Sequence, residues 1–146
     1  LICFGVNLMT PKEECEELLN AIFPFAVDRI KKHGEFYPFG AVMHKNNEIS
    51  LTAVDTGDDQ PDPTDTTDQL TKIHNEQARR DEIKASGICW NATVSLENGK
   101  QSDAVIISLE HRENYSVLVG QPYRIGLFRK LNLDAIFAQD GKHDIF

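Results

Sequence analysis

At 146 residues, with 40% hydrophobic and 26% charged side chains, the chain reads as one globular domain, able to bury a core without metal or disulfide support. A formal charge of −8, from 15 Lys and Arg against 23 Asp and Glu, argues against nucleic acid as a ligand, because phosphate binding relies on clustered cations. No apolar run is long enough to span a bilayer, so no membrane partner is expected, and three widely spaced cysteines without a CxxC pair point to a reduced, cytoplasmic setting.

Residues 1–9 lack the basic flank of a secretory signal and read as a leader or an appended segment ahead of the domain proper. Thr10-Pro11-Lys12-Glu13 then has the form of a helix start: a hydroxyl at the N-cap, Pro where its missing N–H costs nothing, and Glu at the capping-box position. Cys15, Leu18, Leu19, Ile22, Phe25, Ala26 and Ile30 recur at spacings of three and four, giving an amphipathic helix that His33-Gly34 closes. Pro24 falls inside it and predicts a kink or two abutting helices. An aromatic segment, Phe36-Tyr37-Pro38-Phe39, leads into a hairpin from Phe39 to Asp55 that turns at Asn46-Asn47.

Asp55 to Asp68 contains six aspartates and two prolines and must be a surface loop, since burying those carboxylates without partners is costly. Its order does not match a calcium-binding EF-hand loop, and the simpler reading has its end capping the next helix through Asp65 or Thr66. That helix is expected from about Thr67 to Ser86, closed by Gly87 and thinly apolar. From Ile88 to Ile125 the pattern changes to period two: three strands joined at Asn98-Gly99 and at Arg112-Glu113-Asn114, a meander with Trp90 among its core-facing residues. The face carrying Cys89, Asn91 and Thr93 reads as the wetter one. After it, Gln121-Pro122-Tyr123-Arg124 opens a less regular tail, in which Leu127 to Leu131 reads as a turn of helix or an extended crossing. The expected fold is α+β, an antiparallel sheet of about five strands with two helices packed on one face.

Two groups of residues carry the functional expectations. Asp55, Asp58, Asp59 and Asp62 form an acidic surface suited to steering a basic protein partner. Tyr37, with Phe36, Trp90, Glu110 and His111, could line a pocket for a small molecule, and Cys89 and His111 lie on strands that could bring a thiol beside an imidazole. The five histidines show no HxH or HExxH spacing, and no phosphate-binding loop or nucleophile elbow is present, so neither a metal nor a cofactor is expected and a non-enzymatic role is favoured over an enzyme. The glycosylation-like matches at Asn91 and Asn114 fall in or beside strands and read as chance.

Gly34-Glu35-Phe36-Tyr37-Pro38-Phe39, Leu109-Glu110-His111-Arg112, Gln121-Pro122-Tyr123-Arg124 and the closing Ile145-Phe146 together resemble a group of small uncharacterised bacterial α+β proteins. Some acidic proteins of this general sort are immunity proteins that neutralise toxins, and the resemblance implies that role here as an analogy of class. Three readings stay open: a protein-binding domain, of immunity type or otherwise; a small-molecule binder or enzyme; and a structural module.

Overall fold

A computed structural model describes residues 8–55, 57 and 59–146; Asp58 and the first seven residues of the expected leader lie outside that set. The first helix, α1 (Pro11–His33), begins as its sequence predicts. The Thr10 hydroxyl accepts from the Glu13 N–H at 3.1 Å, and the Glu13 carboxylate accepts from the Thr10 N–H at 3.3 Å. It ends on Gly34, whose φ of 80° lets its N–H reach the Ile30 carbonyl. Pro24 does not divide it: α1 is one element of 23 residues, with Leu18, Ile22, Ala26 and Ile30 buried on both sides of the proline. Packing along that face offsets the hydrogen bond that proline removes.

The hairpin β1 (Phe39–His44) and β2 (Ile49–Thr52) turns at Asn47, held at a φ of 76°. The second helix, α2 (Pro63–Arg79), starts earlier than expected, with Asp62 as its N-cap and Pro63 at its first position. It also ends earlier. Asp81, at a φ of 57°, turns the chain into β3 (Ile83–Ser95), so residues 83–87 are strand and not helix. Two long partners follow, β4 (Gln101–His111) and β5 (Tyr115–Ile125), and then two short strands, β6 (Leu131–Leu133) and β7 (Phe137–Asp140). All pairings are antiparallel, in the order β2-β1-β3-β4-β5-β6, with β7 also on β5, so among the described residues the sheet has seven strands and not about five.

The two extra strands pair with β5 on either side of Gln121-Pro122. Read as the start of an irregular tail, Pro122 lies inside β5, opposite Ala104 of β4. Its carbonyl accepts from the Asp134 N–H at 2.9 Å, so its missing N–H would have faced the Asp134 carbonyl. The Gln121 side-chain amide fills that place, donating to the Asp134 carbonyl at 2.6 Å. The chain can therefore run back along β5 as β6, step over this point, and resume as β7.

The two helices lie on opposite faces, a correction to the one-face expectation. Ala85, Gly87 and Cys89 of β3 face α1; a Cβ at Gly87 would meet the Ile22 side chain at 2.5 Å. Ser86 and Ile88 face α2, and a Cβ at Gly40, opposite Ile88 on β1, would meet the His74 ring at 2.7 Å. The physical reason is that β3 is apolar at both parities near its start: Ala85 and Cys89 are fully buried on one side, Ile88 buried and Trp90 half-buried on the other. Each side needs a cover. The larger core joins α1 to Ala41, Met43, Val105, Ile107, Leu109 and Tyr123, and a smaller one joins Leu70 of α2 to Ile88 and Ile145.

Candidate functional site

A concavity lies where α1 ends and the chain enters the sheet. It is a cleft of about 790 Å³ with Phe25 and Arg29 of α1, Phe36, Tyr37 and Phe39 on one side and Asp55, Asp59, Pro61 and Pro63 on the other. Its aromatic wall is a packed set. The Phe25 and Phe39 rings meet edge to face at 4.8 Å, Phe36 and Phe39 at 5.8 Å, and the Arg29 guanidinium lies 5.0 Å from the Phe25 ring centre. Tyr37, half-exposed, ties the walls together by donating to the Asp59 carbonyl at 3.3 Å.

Of the four aspartates expected to face a partner, Asp55 and Asp59 border this cleft, and neither forms an ion pair among the described residues. Asp62 is engaged elsewhere: its carboxylate caps α2 by accepting from the Thr64 N–H at 2.8 Å. Asp58 is outside the described residues. Asp65 and Asp68, expected in the loop, are on α2.

The expected pocket is not assembled. Phe36 and Tyr37 reach the cleft, but Trp90, Glu110 and His111 do not line it. Trp90 packs in the smaller core beneath α2. Glu110 and His111, adjacent on β4, point to opposite faces. The buried Glu110 carboxylate accepts from three consecutive backbone N–H groups, Asp144 at 2.9 Å, Ile145 at 3.1 Å and Phe146 at 2.6 Å, while Asn75 of α2 donates to the Ile145 carbonyl at 2.7 Å. This is a clasp on the chain's last described residues.

His111 faces α1. Its Nδ1 accepts from the Glu113 N–H at 3.0 Å, which leaves the ring proton on Nε2, directed at the Glu14 carboxylate 3.2 Å away. Glu14 also pairs with Lys84 of β3. Glu14, His111 and Glu113 bring ligand atoms within 4.8 Å of one another, a spacing a metal could use. The donors do not suit one: an ammonium already sits on Glu14, and both imidazole nitrogens are engaged. Nor do Cys89 and His111 form the expected pair. Cys89 is opposite Ile107 while His111 is opposite Ala85, four residues or about 13 Å along the strand. Burial, reinforced by the Glu14 charge, pushes the Cys15 thiol up to about 12, and burial also pushes Cys89 upward, so neither supplies a thiolate near neutrality.

Sequence reasoning missed His74. It is fully buried between α2 and the sheet, with Nδ1 2.7 Å from the Ser86 hydroxyl and Nε2 3.1 Å from the Thr52 hydroxyl, and desolvation lowers its pKa from 6.5 to about 4. The Ser–His contact resembles a nucleophile with its base, but both side chains are sealed from solvent. Its place one turn after Leu70, on the apolar side of α2, was the available signal.

A second cleft, about 800 Å³, lies between Val94–Asn98 and Asp134–Gln139, with Phe137 its single aromatic residue. Among the described residues, no helix is long and apolar enough to cross a membrane. No protein-family model, curated protein or solved structure matches this chain. The resemblance to immunity-type proteins thus has no relative behind it, and the functional reading rests on geometry.

Proposed function

We propose that the chain is a non-enzymatic protein-binding domain whose aromatic cleft receives a basic, partly apolar segment of its partner. The observation that supports this is the convergence, on one concave site, of the aromatic segment Phe36–Phe39 with Asp55 and Asp59. Aromatic walls bury apolar side chains, and carboxylates without a cationic partner draw Lys or Arg and favour fast encounter. The candidate chemical groups elsewhere have internal partners or are sealed by burial, which favours binding over catalysis. An immunity-type role is one form of this proposal, with a basic toxin as the partner. A reducing, cytoplasmic setting belongs to it as well, supported by Cys15 and Cys89, both free and buried.

The test is a panel of synthetic decapeptides that vary independently in net charge and aromatic content, titrated against the wild type and the Tyr37→Ala/Asp55→Asn/Asp59→Asn variant. The expected result is a preference for basic, aromatic-containing peptides that the variant loses and that weakens as salt is raised. Indifference to peptide charge, or equal binding by the variant, refutes the reading. The cleft volume also falls within the range of small-molecule sites. A bound metabolite, seen by native mass spectrometry on the wild type and lost with Tyr37→Ala, would favour that alternative.

A further inference from the structure

The β5–β6 side of the sheet carries a surface of opposite character. β5 and β6 are joined by a tight turn closed by the Gly126 N–H to the Lys130 carbonyl at 2.8 Å and the Lys130 N–H to the Leu127 carbonyl at 3.2 Å. Every residue from Arg124 to Lys130 is exposed. Leu127 is 86% and Phe128 99% accessible, with Ile125 and Leu133 about half-exposed beneath them. Phe128 and Arg129 both hold positive φ, 58° and 59°, uncommon for side chains of their size. Isolated apolar residues on a surface mean little, but four crowded onto one hairpin end mark a contact site. The same segment is locally basic. From Gly120 to Leu133 it holds Arg124, Arg129 and Lys130 and no carboxylate, in a chain of net charge −8.

This tip has the chemistry that the cleft is suited to receive. Leu127 and Phe128 match walls of Phe25, Phe36 and Tyr37, and the flanking cations match Glu35, Asp55 and Asp59. We propose that the Arg124–Lys130 tip of one copy docks into the aromatic cleft of a second copy. The contact is head to tail, since the surfaces differ, so the dimer keeps one free cleft on one copy and one free tip on the other and association continues past it. It rests on the cleft being a site for basic, apolar segments, and it makes the neighbour's tip a competitor that an outside partner must displace.

Sedimentation velocity of the full chain over a wide concentration range tests this. The wild type should form dimers and then larger species, less readily as salt rises. Leu127→Ser/Phe128→Ser removes the tip; because both side chains are exposed, its melting temperature should be unchanged. Tyr37→Ala/Asp55→Asn/Asp59→Asn removes the cleft. Each variant alone should weaken association about tenfold or more. An equimolar mixture of the two should restore a single 1:1 complex and nothing larger, because one supplies the intact tip and the other the intact cleft.

A wild type that stays monomeric to about 1 mM overturns the proposal. So does a mixture that fails to restore the complex, so does a cleft variant that associates as well as the wild type, the signature of tip-to-tip pairing, and so does a monomer whose tip binds phosphatidylserine vesicles instead. If basic decapeptides bind the cleft while the wild type stays monomeric, self-docking falls and the cleft reading stands. If neither peptides nor a second copy engage the cleft, both fall.

Discussion

His74 should make the fold acid-sensitive above the range where carboxylates dominate. Its imidazole is neutral and sealed in the native state, with a pKa lowered from 6.5 to about 4, whereas in the unfolded chain it titrates normally. Between those values the unfolded state binds the extra proton. The contribution to stability is therefore fully present above about pH 6.5 and is lost as pH falls towards 4. The full shift corresponds to about 3 kcal/mol, of which about 2 kcal/mol is lost between pH 7.5 and pH 5.0. The assay is urea unfolding at both pH values for the wild type and His74→Gln. The variant is less stable at pH 7.5, because Ser86 or Thr52 loses a buried partner, but it should lack this part of the pH dependence. Proton NMR should also show a ring that does not titrate until about pH 4. Equal pH slopes in the two proteins would refute the assignment of a sealed, neutral His74.

Glu110→Gln should weaken the clasp on the chain's last residues by about 2 kcal/mol, with faster amide exchange at Asp144, Ile145 and Phe146 and little change elsewhere. Lys84→Met leaves the Glu14 carboxylate buried without its cation and should cost about 3 kcal/mol or more by denaturant unfolding. Gly40→Ala drives a methyl into the His74 ring and the Gly87 carbonyl, so a loss of about 1–3 kcal/mol is expected, and an unchanged midpoint would show that α2 does not lie against that face. Trp90→Ala should cost about 2 kcal/mol, less than for a fully enclosed ring, because Trp90 is half-buried.

What could be read from the sequence follows how local the determining physics is. The cap at Thr10, the stop at Gly34, the Asn-Gly turn and the Phe39 hairpin each depend on a few neighbouring residues, and all are present. The end of α2 could not be read that way. Ile83-Lys84-Ala85-Ser86 fits a helix turn or a strand, and pairing with β4 and β1 decides it. Cys89 appeared to belong to a wetter face because its neighbours Asn91 and Thr93 are polar, yet the larger core lies on that side and the polar residues fall where α1 no longer covers the sheet. For the site, the acidic and aromatic segments were both recognised, but their meeting across the cleft depends on tertiary placement. Tip and cleft share no local pattern.

The residues that look most chemical in this chain bind its layers to one another. Glu110 and His111 are neighbours on β4, and strand alternation sends one to the α2 face and the other to the α1 face. There the first fixes the chain's last residues and the second meets Glu14, whose other oxygen holds Lys84 from β3. His74 does the same for α2 through Ser86 and Thr52. Each polar group is matched by a partner from another part of the chain, which is how a fold with its sheet covered on both sides can bury Glu14, His74, Glu110 and His111 without unpaired buried atoms on any of them. A group held so firmly is poorly placed to change partners in a reaction or to receive a ligand. Recognition then falls to the parts of the surface that internal bonding leaves open: the aromatic cleft with Asp55 and Asp59, and the hairpin tip that holds Leu127 and Phe128 in solvent.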